Sequence, residues 1–141
     1  MRPYSDALQR LRDAGLRPTR QRLALARLLF SGEENRHVTA EDVHAEAQAA
    51  GTPVALATVY NTLNQFTDAG LLREIVVEPG RTYFDTNIDD HHHFFIESES
   101  ELIDVPAESL SVSEMPELPD GTEIRRVDIV VRLKDRDAAA S

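Results

Sequence analysis

The chain is 141 residues long, carries a formal net charge of -10 and contains no cysteine. Disulfides and thiolate metal sites are therefore excluded. No stretch reaches the roughly 18 consecutive apolar residues of a membrane span, and MRPYSDALQR at the N-terminus lacks the apolar run of a signal peptide. A cytoplasmic protein without membrane contact is expected. The charge is unevenly divided. Residues 1–84 hold 10 basic and 10 acidic side chains, net 0, whereas residues 85–141 hold 5 and 15, net -10. Within residues 1–32, 7 arginines stand against Asp6 and Asp13, net +5. An acidic total argues against nonspecific nucleic-acid binding, but a basic end joined to an acidic end leaves one polyanion-facing surface open.

Ser5 is placed to cap a first helix over DALQRLRDA, with Leu8 and Leu11 inward and Gly15 as its stop. Pro18-Thr19 opens a second helix, RQRLALARLLF, whose Leu25, Leu28 and Leu29 recur at helical spacing before Ser31-Gly32. Thr39 followed by Asp42 reads as a capping box for a third helix that runs to Gly51. A fourth helix, about Ala57 to Ala69, puts Val59, Leu63 and Phe66 on one stripe and ends at Gly70. LLREIVV and RTYFD, joined across Pro79-Gly80, predict a hairpin. Helices followed by a short hairpin describe a winged helix-turn-helix whose fourth helix would enter the DNA major groove. Composition changes near Asp85 to Asp89. HHHFFIE and ELIDV read as strands around a Ser-Glu-Ser turn, and Pro106, Pro116 and Pro119 argue against a long helix between them and the end. TEIRRVDIVVRL alternates Val127, Ile129, Val131 and Leu133, which predicts a half-buried strand, and the tail KDRDAAAS is expected to fray.

Two groups of residues carry chemistry. Opposite the apolar stripe of the fourth helix lie Ala57, Asn61, Asn64 and Asp68, with Gln65 beside them and Tyr60 on the border. Amides suit base edges, although an exposed polar face is common to every soluble helix. Arg17, Arg20 and Arg22 are placed to reach phosphates or a minor groove. The second group is the triplet His91, His92, His93. On a strand, His91 and His93 point to one face and His92 to the other. An H-x-H pair can put two imidazoles on one ion, and imidazole with carboxylate suits Zn2+, Fe2+ or Mn2+. Asp85, Asp104 and the distant His37 would complete such a site, and haem is a further ligand for the triplet.

GLRPTRQRLALARLLF, HVTAEDVHAEA, LATVYNTLNQFTDAGLL, TYFD and HHH followed by ELIDV resemble the ferric uptake regulator family over roughly residues 10–105. The absence of cysteine, the HHHFF form and the short C-terminal half are most similar to its iron response regulator (Irr) branch, which responds to haem and iron. The resemblance implies an α+β protein: a winged helix-turn-helix DNA-binding domain over residues 1–85, then a small α/β dimerisation and sensing domain with a short antiparallel-rich sheet over residues 89–135. It implies a regulator that binds AT-rich iron-control operators on double-stranded DNA as a homodimer, pairing into tetramers being left open. Tyr60 falls at a thymine-contacting position, Arg17 at a basic minor-groove position, and Asn61 where relatives often carry arginine. His37, Asp85, His91, His93 and Asp104 match the ligand positions of the family's regulatory metal site, with the two aspartates in place of commoner glutamates. The family's structural zinc site needs cysteines, which are absent.

Rival classes remain at this point. A catalytic metal with an open position would make an enzyme, but no H-E-x-x-H or G-x-S-x-G motif is present, and a non-enzyme is expected. A zinc- or manganese-responsive regulator, or a metal-binding module that does not bind DNA, uses the same residues.

Overall fold

The computed structural model describes residues 3–136 apart from Glu33 and Pro79, with residues 3–5 described as backbone only. The Pro79 corner of the expected hairpin turn and residues 137–141 of the expected frayed tail lie outside the described residues. The chain divides into two compact units, residues 1–88 and 89–141.

The first unit contains helices α1 (Pro3–Asp13), α2 (Arg20–Phe30), α3 (Ala40–Ala49) and α4 (Leu56–Asp68), with strands β1 (His37–Val38), β2 (Arg73–Glu78) and β3 (Arg81–Asp85). Local signals account for most helix ends. Thr19 accepts the Arg22 N–H at the start of α2 (3.2 Å). At α3 the capping box is closed in both directions: Thr39 Oγ1 accepts the Asp42 N–H (3.1 Å) and Asp42 Oδ2 accepts the Thr39 N–H (3.0 Å). Gly15 and Gly70 adopt φ of 78° and 85°, which lets Leu16 N–H reach back to Leu11 O and Leu71 N–H to Phe66 O. One helix start differs from expectation: α1 begins at Pro3, so Ser5 lies within it rather than capping it. Pro at the first turn gives up an N–H that has no intrahelical partner anyway. Its inward face is Ala7 and Leu11, with Leu8 half-buried.

The apolar stripes meet in one core. Leu11, Leu25, Ala26, Leu29, Val43, Ala47, Val59, Leu63, Phe66 and Phe84 are all buried and packed together. Strand order is β1-β3-β2, antiparallel throughout. The hairpin β2–β3 is the wing. The two-residue β1 was not expected; it places His37 opposite Asp85 and Val38 opposite Phe84. Arg36 holds this strand in place. Its N–H donates to Thr86 Oγ1 (2.8 Å) and its carbonyl accepts the Thr86 N–H (3.0 Å), while its guanidinium donates to Leu28 O (2.8 Å) and to Glu46 (2.6 Å).

The second unit is a three-stranded sheet ordered β5-β4-β6, built from β4 (His91–Ile96), β5 (Glu101–Pro106) and β6 (Val130–Leu133). β4 pairs antiparallel with β5 and parallel with β6. A single 3-10 turn at Ala107–Ser109 is its one helical piece among the described residues. The expected strand over residues 122–133 is cut to four residues. Alternation alone does not make a strand; a ladder partner is needed, and the pairing with β4 runs only from His93 to Ile96. Ile124 and Val127 accordingly stay exposed. Helices, a wing and a small mixed sheet make the fold α+β.

Because the α3 capping box satisfies two backbone donors at once, Thr39→Ala is expected to lower the unfolding free energy by about 1 kcal/mol, read as a reduced denaturant midpoint at unchanged slope.

Candidate functional site

On α4 the buried positions Val59, Thr62, Leu63 and Phe66 turn Ala57, Tyr60, Asn61, Asn64, Gln65 and Asp68 to solvent. Arg17 and Arg20 are also exposed, while Arg22 is half-buried. Arg22 is committed within the unit. Its Nε and Nη2 donate to Gln65 Oε1 (3.2 and 3.0 Å), and its Nη1 donates to Arg17 O (2.7 Å). One guanidinium thus braces the segment before α2 against α4. Arg17, Asn61 and Gln65 line an open cleft of about 590 Å³ beside that brace. Tyr60 donates its hydroxyl to both oxygens of Glu41 in the first turn of α3 (3.2 and 3.0 Å). Neither link is legible in the sequence, because each joins different helices.

At the end of the same unit, Asp85 is fully buried. It accepts the Asn87 N–H on Oδ1 (2.8 Å), and its Oδ2 lies 3.2 Å from His37 Nε2. This imidazole–carboxylate pair exists because β1 sets the two residues in register.

In the second unit the period of β4 turns His91, His93 and Phe95 inward, with His91 5% and His93 4% exposed. Asp104 stands opposite His93 on β5. The Nε2 atoms of both imidazoles lie 3.3 Å from Asp104 Oδ1, and the two rings meet edge to face at 4.5 Å. Ligand atoms of these three residues all fall within 4.8 Å of one another. The far side of the His91 ring fixes its chemistry. Nδ1 meets the Asp89 carbonyl, which can only accept, so Nδ1 carries a proton and Nε2 is the ring nitrogen left to face the Asp104 carboxylate. An imidazole nitrogen and a carboxylate oxygen at this spacing can share a proton or a metal ion. Arg132 covers Phe95 at the apolar end of this face (5.7 Å).

His92 has a different task. Its Nδ1 accepts the Ile129 N–H (3.2 Å), while Ile129 O accepts the His93 N–H (3.0 Å). The pair of bonds delivers the chain into β6. His92 therefore does not share a face with His91 and His93, and the three candidate haem ligands are divided. His44 is half-buried on α3 and belongs to none of these groups.

The Glu41 carboxylate raises the Tyr60 phenol pKa, first by accepting its hydrogen bond, then through partial desolvation and charge repulsion of the phenolate. A raised value means that the bond contributes fully below the ordinary tyrosine pKa and is lost as pH climbs through the raised one. Glu41→Gln is expected to bring the Tyr60 titration back down, read as phenolate absorbance after subtraction of a Tyr60→Phe spectrum.

The ferric uptake regulator family model matches residues 13–131 of this chain. The ferric uptake regulation protein of Vibrio parahaemolyticus is 37% identical over 92 residues, 65% of this chain and 61% of that protein. The peroxide-responsive repressor PerR of Staphylococcus aureus is 31% identical over 99 residues, 70% of this chain and 66% of that protein. The chain thus spans about six-tenths of the length of the first curated relatives it matches. Among solved structures, the ferric uptake regulator from Pseudomonas aeruginosa with manganese superposes with a TM-score of 0.69 at 28% identity, covering 93% of this chain and 98% of that one. The Vibrio cholerae ferric uptake regulator gives 0.69 at 25% identity, covering 91% and 98%. The family match spans both compact units, and the chain belongs to the ferric uptake regulator family.

Proposed function

We propose that this chain is a metal-responsive transcriptional regulator that binds AT-rich double-stranded DNA as a homodimer. Residues 1–85 serve as the DNA-reading domain and residues 89–135 as the dimerisation and sensing domain. One observation supports the reading most directly: the Nε2 atoms of His91, whose ring is oriented by the Asp89 carbonyl, and of His93 both face one oxygen of the Asp104 carboxylate. That arrangement suits a divalent cation. The other half of the proposed ligand set is His37 with the buried Asp85. A cation held by His37, Asp85, His91, His93 and Asp104 would tie the two units in one orientation. It would favour whichever arrangement of two recognition helices it binds more tightly. Nitrogen and oxygen donors without sulfur accept Fe2+, Mn2+ or Zn2+, and the P. aeruginosa relative was solved with manganese.

The DNA-facing residues are Arg17, Arg20, Tyr60, Asn61 and Asn64, all exposed on the first unit, with Arg22 bonded to the Arg17 carbonyl and to Gln65 beside them. The acidic balance of residues 85–141 would keep the second unit away from phosphate.

The finer reading is an iron regulator of the iron response (Irr) type, with haem as a second effector. The division of the triplet gives this reading a definite form. With Nδ1 accepting from Ile129, the neutral His92 ring carries its proton on Nε2, so ligation there would cost the bond that seats β6. Haem would be taken by His91 or His93. Haem titration should then give a Soret change that survives His92→Ala and disappears in His91→Ala/His93→Ala; no change in the wild-type protein would remove haem from the account.

Metal content and affinity test the main reading. His93→Ala is expected to weaken Mn2+ or Zn2+ binding by more than the ~10–100-fold that loss of an outer-shell partner costs. Wild-type affinity for operator-like DNA should change on addition of the metal, while that of the variant should not. DNA affinity should fall steeply with salt, and Arg17→Ala should reduce the slope by about 1. A flat salt dependence would overturn contact through the arginines.

A further inference from the structure

The brace between Arg22 and Gln65 has a chemical direction. A guanidinium offers donors only. The Gln65 oxygen must therefore face Arg22, where it receives both Nε and Nη2 (3.2 and 3.0 Å). Both bonds converge on that one oxygen and hold it against the guanidinium. The guanidinium is itself anchored, because Nη1 donates to Arg17 O (2.7 Å). Turning the amide over would set an NH2 group against a cation and forfeit both bonds. Gln65 is exposed, on the same side of α4 as Asn61 one turn earlier, and both line the cleft beside Arg17.

We infer that Gln65 is a base-reading residue whose hydrogen-bonding sense is fixed by Arg22, so that it demands an acceptor at the base edge it meets. This rests on the DNA-binding reading above and specifies it. An unrestrained glutamine reads adenine with its oxygen and nitrogen together. A glutamine whose oxygen is held on Arg22 presents only its NH2 group. Its NH2 group matches guanine, which presents N7 and O6 acceptors, or thymine O4, and it opposes the N4 donor of cytosine. Arg22 is then a positioning residue: it determines which end of Gln65 the groove encounters.

The test is a binding profile of the full chain, with and without added manganese, against duplexes carrying every base at each operator position. The wild-type protein should disfavour cytosine at one position by about 5- to 150-fold relative to guanine or thymine, the range that one good base contact supplies. Gln65→Glu keeps an oxygen on Arg22 but presents a second oxygen outward, so preference at that position should turn toward cytosine. Gln65→Ala should abolish preference there, and Arg22→Ala should broaden it there while the other positions keep their profile. A merely structural role would instead weaken all positions alike. Profiles of Gln65→Glu and Gln65→Ala that superimpose on wild type would overturn the assignment alone. A wild-type protein that retains no duplex under either condition would overturn the DNA-binding reading and the assignment with it.

Discussion

A carboxylate removed from water must be met by donors or by positive charge. Asp85 is in that position, fully buried at the last residue of β3, and the local structure of the first unit is arranged around it. β3 is the central strand of its sheet. At Asp85 its neighbours in register are His37 on one side and Arg73 on the other. The imidazole of His37 and the N–H of Asn87 reach the two carboxylate oxygens. A strand of two residues has little stability of its own. β1 persists because Val38 is buried in the core and because Arg36 is tied to the ends of α2, α3 and β3. The helical core thus fixes a polar pair that no helix contains.

The second unit solves a comparable problem with a sheet. Period-two alternation puts His91, His93 and Phe95 on one face, and the antiparallel register sets Asp104 opposite His93 and Leu102 opposite Phe95. One face is therefore apolar at one end and rich in lone pairs at the other. His92, on the other face, is spent on the entry to β6. Three adjacent identical side chains acquire two separate tasks purely from the pleat.

What the sequence made legible follows the range of the interactions involved. Helix ends at Thr19, Thr39, Gly15 and Gly70 depend on neighbours within a few positions, and each is readable from the chain. The shared face of His91 and His93 needs only the period of a strand. β1 was not readable, since two residues carry no periodicity. The extent of β6 is not legible either, because alternation from Val127 to Leu133 says nothing about where the chain pairs with β4. The links that organise the exposed face of α4 join residues 43 and 19 positions apart, Arg22 with Gln65 and Tyr60 with Glu41. A polar helix face announced itself in the sequence, but not which of its groups were already occupied.

Those two links give the exposed face a physical relation to the His37 pair. His37 is followed by Val38 in the core and by Thr39, whose capping box starts α3. Glu41, two residues further along, holds the Tyr60 hydroxyl. The first turn of α3 therefore has the imidazole of His37 at its entrance and the exposed face of α4 at its side. A ligand that shifts His37 acts on a segment with few soft torsions, since the cap fixes Thr39 and the core fixes Val38. Only a difference in ligand affinity between two arrangements of that turn would convert such a shift into a change at Tyr60. The acidic side chain of Glu41 makes the difference matter: while it holds the phenol, a negative charge stands beside the face that would meet phosphate, and a small displacement of α3 changes both the aim of Tyr60 and the local charge.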